Sequence, residues 1–244
     1  MLYKASPGQV SYGESIGILL LDTYTPFVPG DVGNATTYSF PVRFQRIDGF
    51  TFSKLLTKDP ALVEPLLEAG HNLVKEGAKA ITGDCGYMAM FQKEIASELK
   101  VPVFLSSLLQ LPFMEAMLGP EEKIGIICSH SDYFDHEILE GMGVQINSSK
   151  LRVMGMETAE HFRLAAHVEN GLLDPDVVEQ EAVSIAREFV SEYPDIKLIL
   201  LECSSLPPYG AAIQQATGLP VFDYVTMINH VHSAVVKSRF SGFM

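Results

Sequence analysis

The chain has no tryptophan, three cysteines among 244 residues, and only 17 lysines and arginines against 30 aspartates and glutamates. Its formal net charge is −13. A deficit of that size leaves no basic face to attract a phosphate backbone, so no nucleic-acid partner is expected. Small anions remain open as ligands, because strand-to-helix turns bind them through backbone N–H groups whatever the global charge. Three widely spaced cysteines make no disulfide framework and point to a reduced, cytoplasmic protein. Long apolar runs are also missing. Ile16 to Leu21 is far too short to span a bilayer and no charged segment of leader type precedes it, so no membrane association is expected. There is no Walker loop and no G-x-G-x-x-G. His161 and His167 lie six apart, off a common helical face, and His230 and His232 have no cysteine or acid at ligand spacing. Neither a metal nor a cofactor is expected.

What the chain does contain is an internal repeat. Lys79-Ala-Ile-Thr-Gly-Asp-Cys85 is echoed by Lys197-Leu-Ile-Leu-Leu-Glu-Cys203, and the two cysteines stand 118 residues apart (203 minus 85). The register continues into Val101-Pro-Val-Phe104 and Leu219-Pro-Val-Phe222. Upstream, Ile16-Gly17-Ile18 pairs with Ile124-Gly125-Ile126 at an offset of 108, so the second copy is about ten residues longer before its cysteine. Two copies of one unit, each presenting a thiol at a strand end, organise the molecule.

Short apolar runs predict strands over 16–21, 41–47, 78–82, 101–105, 123–128, 151–156, 197–201 and 219–222. Between them, apolar stripes and caps predict helices over 60–76, 89–99, 108–118, 131–142, 175–193, 210–216 and 225–236, with Ser131 a candidate N-cap and a short helix in 157–175. Strands alternating with helices imply βαβ units and parallel sheets, with ligands beyond the carboxyl ends of the strands. Asp22, Cys85, Cys128, His130 and Cys203 all fall there.

A cysteine between a strand and a helix gains thiolate character from the helix N-terminus. A lone free cysteine is more often a small buried hydrophobe, but the duplicated position favours a functional pair in Cys85 and Cys203. Cys128 has Leu20 as its counterpart and reads as packing. Asp84 and Glu202 raise the thiol pKa if they face it; alternation along the strand also allows them to point away, and surface and functional roles stay open. Asp22 reads equally as a loop acid or a crevice acid, and Asn34 as a turn residue or a carboxylate donor. Ser129, Ser131 and Tyr133 open a helix in a way that suits an anion. Gly86, Tyr87, Ser204 and Ser205 follow the cysteines and supply donors. Two thiols facing each other can act on opposite faces of one carbon, one removing a proton and the other returning one, with these donors stabilising the enediolate.

The two Ile-Gly-Ile strands, the Gly-Asp-Cys85-Gly and Glu-Cys203-Ser-Ser turns and the Pro-Val-Phe strands resemble the aspartate/glutamate racemase superfamily over nearly the whole chain. That superfamily includes amino-acid and hydantoin racemases, maleate isomerases and arylmalonate decarboxylases. The resemblance implies an α/β protein of two pseudo-symmetric three-layer α/β/α domains with four-stranded, mainly parallel sheets and the active site in the cleft between them. It assigns 1–117 and 223–244 to the first domain and 118–222 to the second. The paired cysteines carry over onto Cys85 and Cys203, and Asp22 matches an acidic position of the glutamate-racemase group.

Gly86-Tyr87 stands where those racemases have Asn-Thr, Ser204-Ser205 where they have Thr-His, and Asp22-Thr-Tyr-Thr-Pro replaces their Asp-Ser-Gly turn. The substrate expected is therefore a small carboxylate or amino-acid-like molecule that need not be glutamate or aspartate. The expected activity is a cofactor-independent racemase or isomerase. A maleate-type cis–trans isomerase with a cysteine nucleophile is the alternative enzyme, and a non-catalytic ligand-binding protein the alternative outside catalysis. The scaffold is compatible with a homo-oligomer.

Overall fold

Gly17 and Gly125 occupy the same position in the first strand of each repeat, and both are packing requirements. A Cβ on Gly17 would come within 2.8 Å of Ile81 and 3.0 Å of Leu73; one on Gly125 would come within 2.9 Å of Phe189 and 3.0 Å of Ile196. Each glycine lets a helix lie close against its sheet. The computed structural model describes residues 2–244. In the first half, β1 (Ile16–Leu20) and β2 (Val42–Arg46) lead to α1 (Phe52–Leu55) and α2 (Val63–Lys75), then β3 (Ala80–Gly83), α3 (Gln92–Glu98), β4 (Val103–Phe104) and α4 (Leu111–Glu115). The second half runs β5 (Lys123–Cys128), α5 (His136–Gly141), β6 (Leu151–Gly155), α6 (Glu160–Ala166), α7 (Pro175–Glu192), β7 (Ile196–Leu201), α8 (Gly210–Thr217), β8 (Val221–Phe222) and α9 (Tyr224–Val235).

The sheets have one topology used twice: β2-β1-β3-β4 and β6-β5-β7-β8, every neighbour parallel. The central strands are buried on both faces, as their unbroken apolar runs require. One core cluster joins Leu19, Leu73 and Ile81 of the first half to Ile124, Ile126 and Leu200 of the second, so the halves share a continuous interior. The last helix, α9, packs Tyr224, Met227 and Ile228 against Ile16, Ile18, Ala80 and Phe104 of the first sheet. Asp223 and Thr226 close a reciprocal capping box at its start. No helix among the described residues is long and apolar enough to cross a membrane.

Three helix expectations need correction. The helix expected over 131–142 is split: Ser131–Tyr133 is a single 3-10 turn, and α5 starts after Asp135, whose carboxylate accepts from the N–H groups of Glu137 and Ile138. Ser131 is not its cap, because Glu157 takes its hydroxyl at 2.5 Å. Pro60–Leu62 forms a 3-10 turn ahead of α2. Cys85 leads into a 3-10 stretch, Gly86–Phe91, before α3 begins.

Candidate active site

The ends of β1, β3, β5 and β7 open on one cleft holding about 490 Å³ of empty space, part of it open to solvent. The first half contributes Leu21, Asp84, Cys85, Gly86 and Tyr87, and the second Ser129, Glu202, Cys203, Ser204 and Ser205. Thr23, Thr25, Phe27, Phe52 and Glu169 complete the polar and aromatic wall. No lysine or arginine lines it; among the described residues its only formally charged side chains are acids. Nor do three or more His, Cys, Asp or Glu converge there, or elsewhere among the described residues, as a metal ion would need.

The acid before each cysteine performs the same structural task in both copies. Both Asp84 oxygens accept from the Leu21 N–H at 3.1 Å, just past β1, and Glu202 Oε2 accepts from the Ser129 N–H at 3.2 Å, just past β5. Neither acid is on the surface: Asp84 is 5% exposed and Glu202 1%. The longer side chain leaves a difference. Glu202 Oε1 is buried without a hydrogen-bond partner. It lies where a side chain on Gly86 would otherwise be, so Gly86 is the residue this close approach requires. Burial pushes Asp84 up to about 8 and Glu202 up to about 7. Asp31, behind the cleft and 2% exposed, is pushed by burial up to about 7.

Cys85 and Cys203 are free thiols, each partly exposed. The surroundings of the two thiols oppose the thiolate character expected of them. Burial first, then the negative charges of Glu202 and Asp84 and the facing Cys203, holds Cys85 well above its ordinary value. Burial and then Glu202 raise Cys203 as well. No α-helix starts directly behind either thiol to oppose this. The opposing contacts are unequal: the Tyr87 N–H favours the Cys85 thiolate, while the Ser205 N–H and the Ser129 hydroxyl both favour that of Cys203.

Side chains from each half lock the other in place. The Ser204 hydroxyl donates to the Asp84 carbonyl, and Ser107 Oγ donates to the Leu201 carbonyl at 3.0 Å. Tyr87 donates to the His130 carbonyl at 2.7 Å and accepts from the His130 N–H at 3.1 Å. Over the cleft, Phe52 at the start of α1 stacks on His167 at the end of α6, with ring centroids 6.0 Å apart and planes 8° from parallel. These two rings come from equivalent connections, after β2 and after β6. His167 Nε2 lies 2.7 Å from Ser129 Oγ.

Of the residues singled out in the sequence, Cys85, Gly86, Tyr87, Ser129, Cys203, Ser204 and Ser205 come together around the cleft. Four of the expected binding residues do not line it. Asp22 turns aside to accept from the Gly49 N–H at 2.8 Å and to face Arg46. Asn34 is the turn residue: it caps Ala35–Thr37 and donates to the Phe27 carbonyl at 2.8 Å. Ser131 is held by Glu157, and Tyr133 is 39% exposed beside His130. Cys128 is fully buried, its thiol donating to the Met154 carbonyl at 3.6 Å. Phe52 and Glu169 carry no sequence signal, His167 reads only as half of a mis-spaced metal pair, and Thr23 and Thr25 read only as part of the turn after β1. Phe52, His167 and Glu169 lie in the connections after β2 and β6, and only the correspondence of those two segments points towards them.

No family model matches the chain. It is 34% identical over 217 residues to a dimethylsulfoniopropionate lyase of Durusdinium sp. clade D, covering 86% of this chain and 71% of that one. Over 233 residues it is 29% identical to dimethylsulfoniopropionate lyase 7 of Emiliania huxleyi, covering 92% and 68%. Among solved structures, a variant of arylmalonate decarboxylase in a sulfate-associated form superposes with a TM-score of 0.58 at 13% identity, covering 92% of this chain and 94% of that one. A glutamate racemase from Bacillus anthracis gives 0.56 at 15%, covering 91% and 82%. The fold is that of the aspartate/glutamate racemase superfamily.

Proposed function

Because this chain belongs to the dimethylsulfoniopropionate lyase family, we propose that it cleaves dimethylsulfoniopropionate, or a close β-sulfonio carboxylate, by elimination. The lyase relatives overturn the isomerase expectation, and with it the racemase, the cis–trans isomerase and the non-catalytic binding protein. The misreading has a chemical cause. A thiolate that takes a proton from the carbon beside a carboxylate makes the same carbanion in a racemase and in an eliminating lyase. Whether that carbanion is reprotonated or expels a group from the next carbon depends on the substrate, which the protein sequence does not contain.

The observation that carries the reading is a cleft with two thiols whose only charged side chains are acids. A sulfonium cation suits such a wall: Glu169 supplies negative charge, the face of Phe52 supplies cation–π attraction, and the buried Glu202 and Asp84 give up their protons more readily beside a cation. With no lysine or arginine present, the substrate carboxylate is left to the backbone N–H groups that follow the thiols, those of Gly86 and Ser204. The cation also changes the thiols. An opposite charge favours an ionised form, so a bound sulfonium offsets the burial and acid charges that hold the thiols neutral.

Cys203, with two supporting donors against one, is assigned as the base. Its thiolate takes the proton from the carbon beside the carboxylate. The C–H electron pair becomes the carbon–carbon double bond while the β-carbon–sulfur bond breaks, its pair staying on sulfur. Acrylate and neutral dimethyl sulfide leave, and the proton stays on Cys203. Cys85, neutral, donates to the carboxylate oxygens as they gain charge. We take residues 1–117 with 223–244 as one domain and 118–222 as the other, a division that the two sheets and the seat of α9 support. Three free cysteines support a reducing, cytoplasmic setting.

The test is NMR of the purified chain with dimethylsulfoniopropionate in D₂O, with headspace analysis for dimethyl sulfide. Equimolar acrylate and dimethyl sulfide are expected. Deuterium entering the substrate carbon with no sulfide released would sink the elimination.

A further inference from the structure

We propose that Ser129 and His167 form the route by which the Cys203 proton leaves the cleft, one proton per turnover. This rests on the elimination proposed above. A racemase takes one proton and returns one, so its thiols are reset within the site. Expulsion of a sulfide from a sulfonium differs: the leaving group departs neutral and needs no proton. Each cycle therefore ends with an extra proton on Cys203 that must reach solvent before the thiolate forms again.

The structure offers a path for it. Ser129 and Cys203 line the same cleft, the Ser129 hydroxyl on the side that favours the Cys203 thiolate, and Ser129 Oγ lies 2.7 Å from His167 Nε2. A hydroxyl is donor and acceptor at once, so it passes a proton from sulfur to imidazole without changing charge. His167 is half-buried at the end of α6, held by the stack on Phe52 and the edge of Phe162, so part of the residue is open to solvent. Burial, with the positive character of His130 and Arg163 outweighing the nearby Glu157, keeps His167 down at about 4. A neutral imidazole accepts at one nitrogen while releasing from the other, and so relays a proton without storing it. Cys85 has no comparable chain: its supporting contact is a backbone N–H, which cannot relay.

The experiment measures acrylate formation by wild type, His167→Ala, Ser129→Ala and the double variant, with and without added imidazole. Wild-type turnover is measured first, since no acrylate there would overturn the elimination itself and the route with it. His167→Ala is expected to lose about 100-fold in kcat, at the low end of general acid–base effects, with KM little changed and activity partly restored by imidazole. Ser129→Ala keeps the stacked His167 and is expected to lose a similar factor without imidazole rescue. The double variant should be no worse than either. A His167→Ala loss that imidazole does not relieve, or a Ser129→Ala variant at the wild-type rate, would overturn the route while leaving the elimination standing.

Discussion

The two halves of this molecule are built to one plan and equipped differently. Each has a four-stranded parallel sheet in the same strand order, a glycine in its first strand and a thiol after its third. In each, an acid ahead of the thiol binds the N–H that ends the neighbouring strand. The shared features are structural. The differences are chemical: Glu202 carries a buried, unpartnered oxygen, Ser129 in the second half lies beside His167, and His167 stacks on Phe52 of the first half. Duplication supplied two equivalent thiol positions, and their surroundings separate the roles.

The largest expected effect tests that separation directly. Cys203→Ser, losing the base, should lower kcat about 10³-fold or more. Cys85→Ser, losing a donor to the developing charge, should cost about 10². Steady-state acrylate formation measures both, and equal losses would erase the distinction between the halves.

A second comparison lies one residue past each thiol. Gly86→Ala should destabilise the fold by about 1–3 kcal/mol through overlap with Glu202. Ser204→Gly gives up mainly one hydrogen bond to the Asp84 carbonyl, on the order of 1 kcal/mol. Urea unfolding ranks the two; a silent Gly86→Ala would mean that Glu202 can move aside.

The smallest effect concerns pH. Asp84 and Glu202 have folded pKa values of about 8 and about 7, above their ordinary values of 3.8 and 4.5. The folded chain therefore holds protons that the unfolded chain gives up. Their contribution to stability is complete below about pH 4 and is lost as pH rises through 7 and then 8. Glu202→Gln should flatten the fall in Tm between pH 5 and pH 8, and Asp84→Asn should do the same at slightly higher pH. Thermal unfolding at the two pH values checks the sign, and a wild-type Tm that rises towards pH 8 through these groups would contradict it.

Strands were the most legible part of the sequence. Ile16–Leu20, Lys123–Cys128 and Ile196–Leu201 lie within a residue of their apolar runs, because a strand buried on both faces needs every position apolar. Helix starts were less so. Asp135 rather than Ser131 caps α5, a choice made by Glu157 drawing the serine away across 26 residues of sequence. At the site, the repeat located Cys85 and Cys203, but Asp84 and Glu202 stayed ambiguous. Their burial depends on the N–H groups of Leu21 and Ser129, 63 and 73 residues distant. Asp22 and Asn34 looked eligible by position and were claimed by local partners, Gly49 and Arg46 for one, Phe27 for the other.

The sequence by itself determined the duplication, the parallel strands, the thiol positions and the scarcity of positive charge, all of which are written in local pattern or composition. Tertiary structure alone decided that the cleft would contain acids and no cation, that Phe52 would stack on His167, and that a serine of the cleft would lie beside that histidine. Those are contacts between segments far apart in the chain, and their geometry exists only once both sheets are packed on a common core.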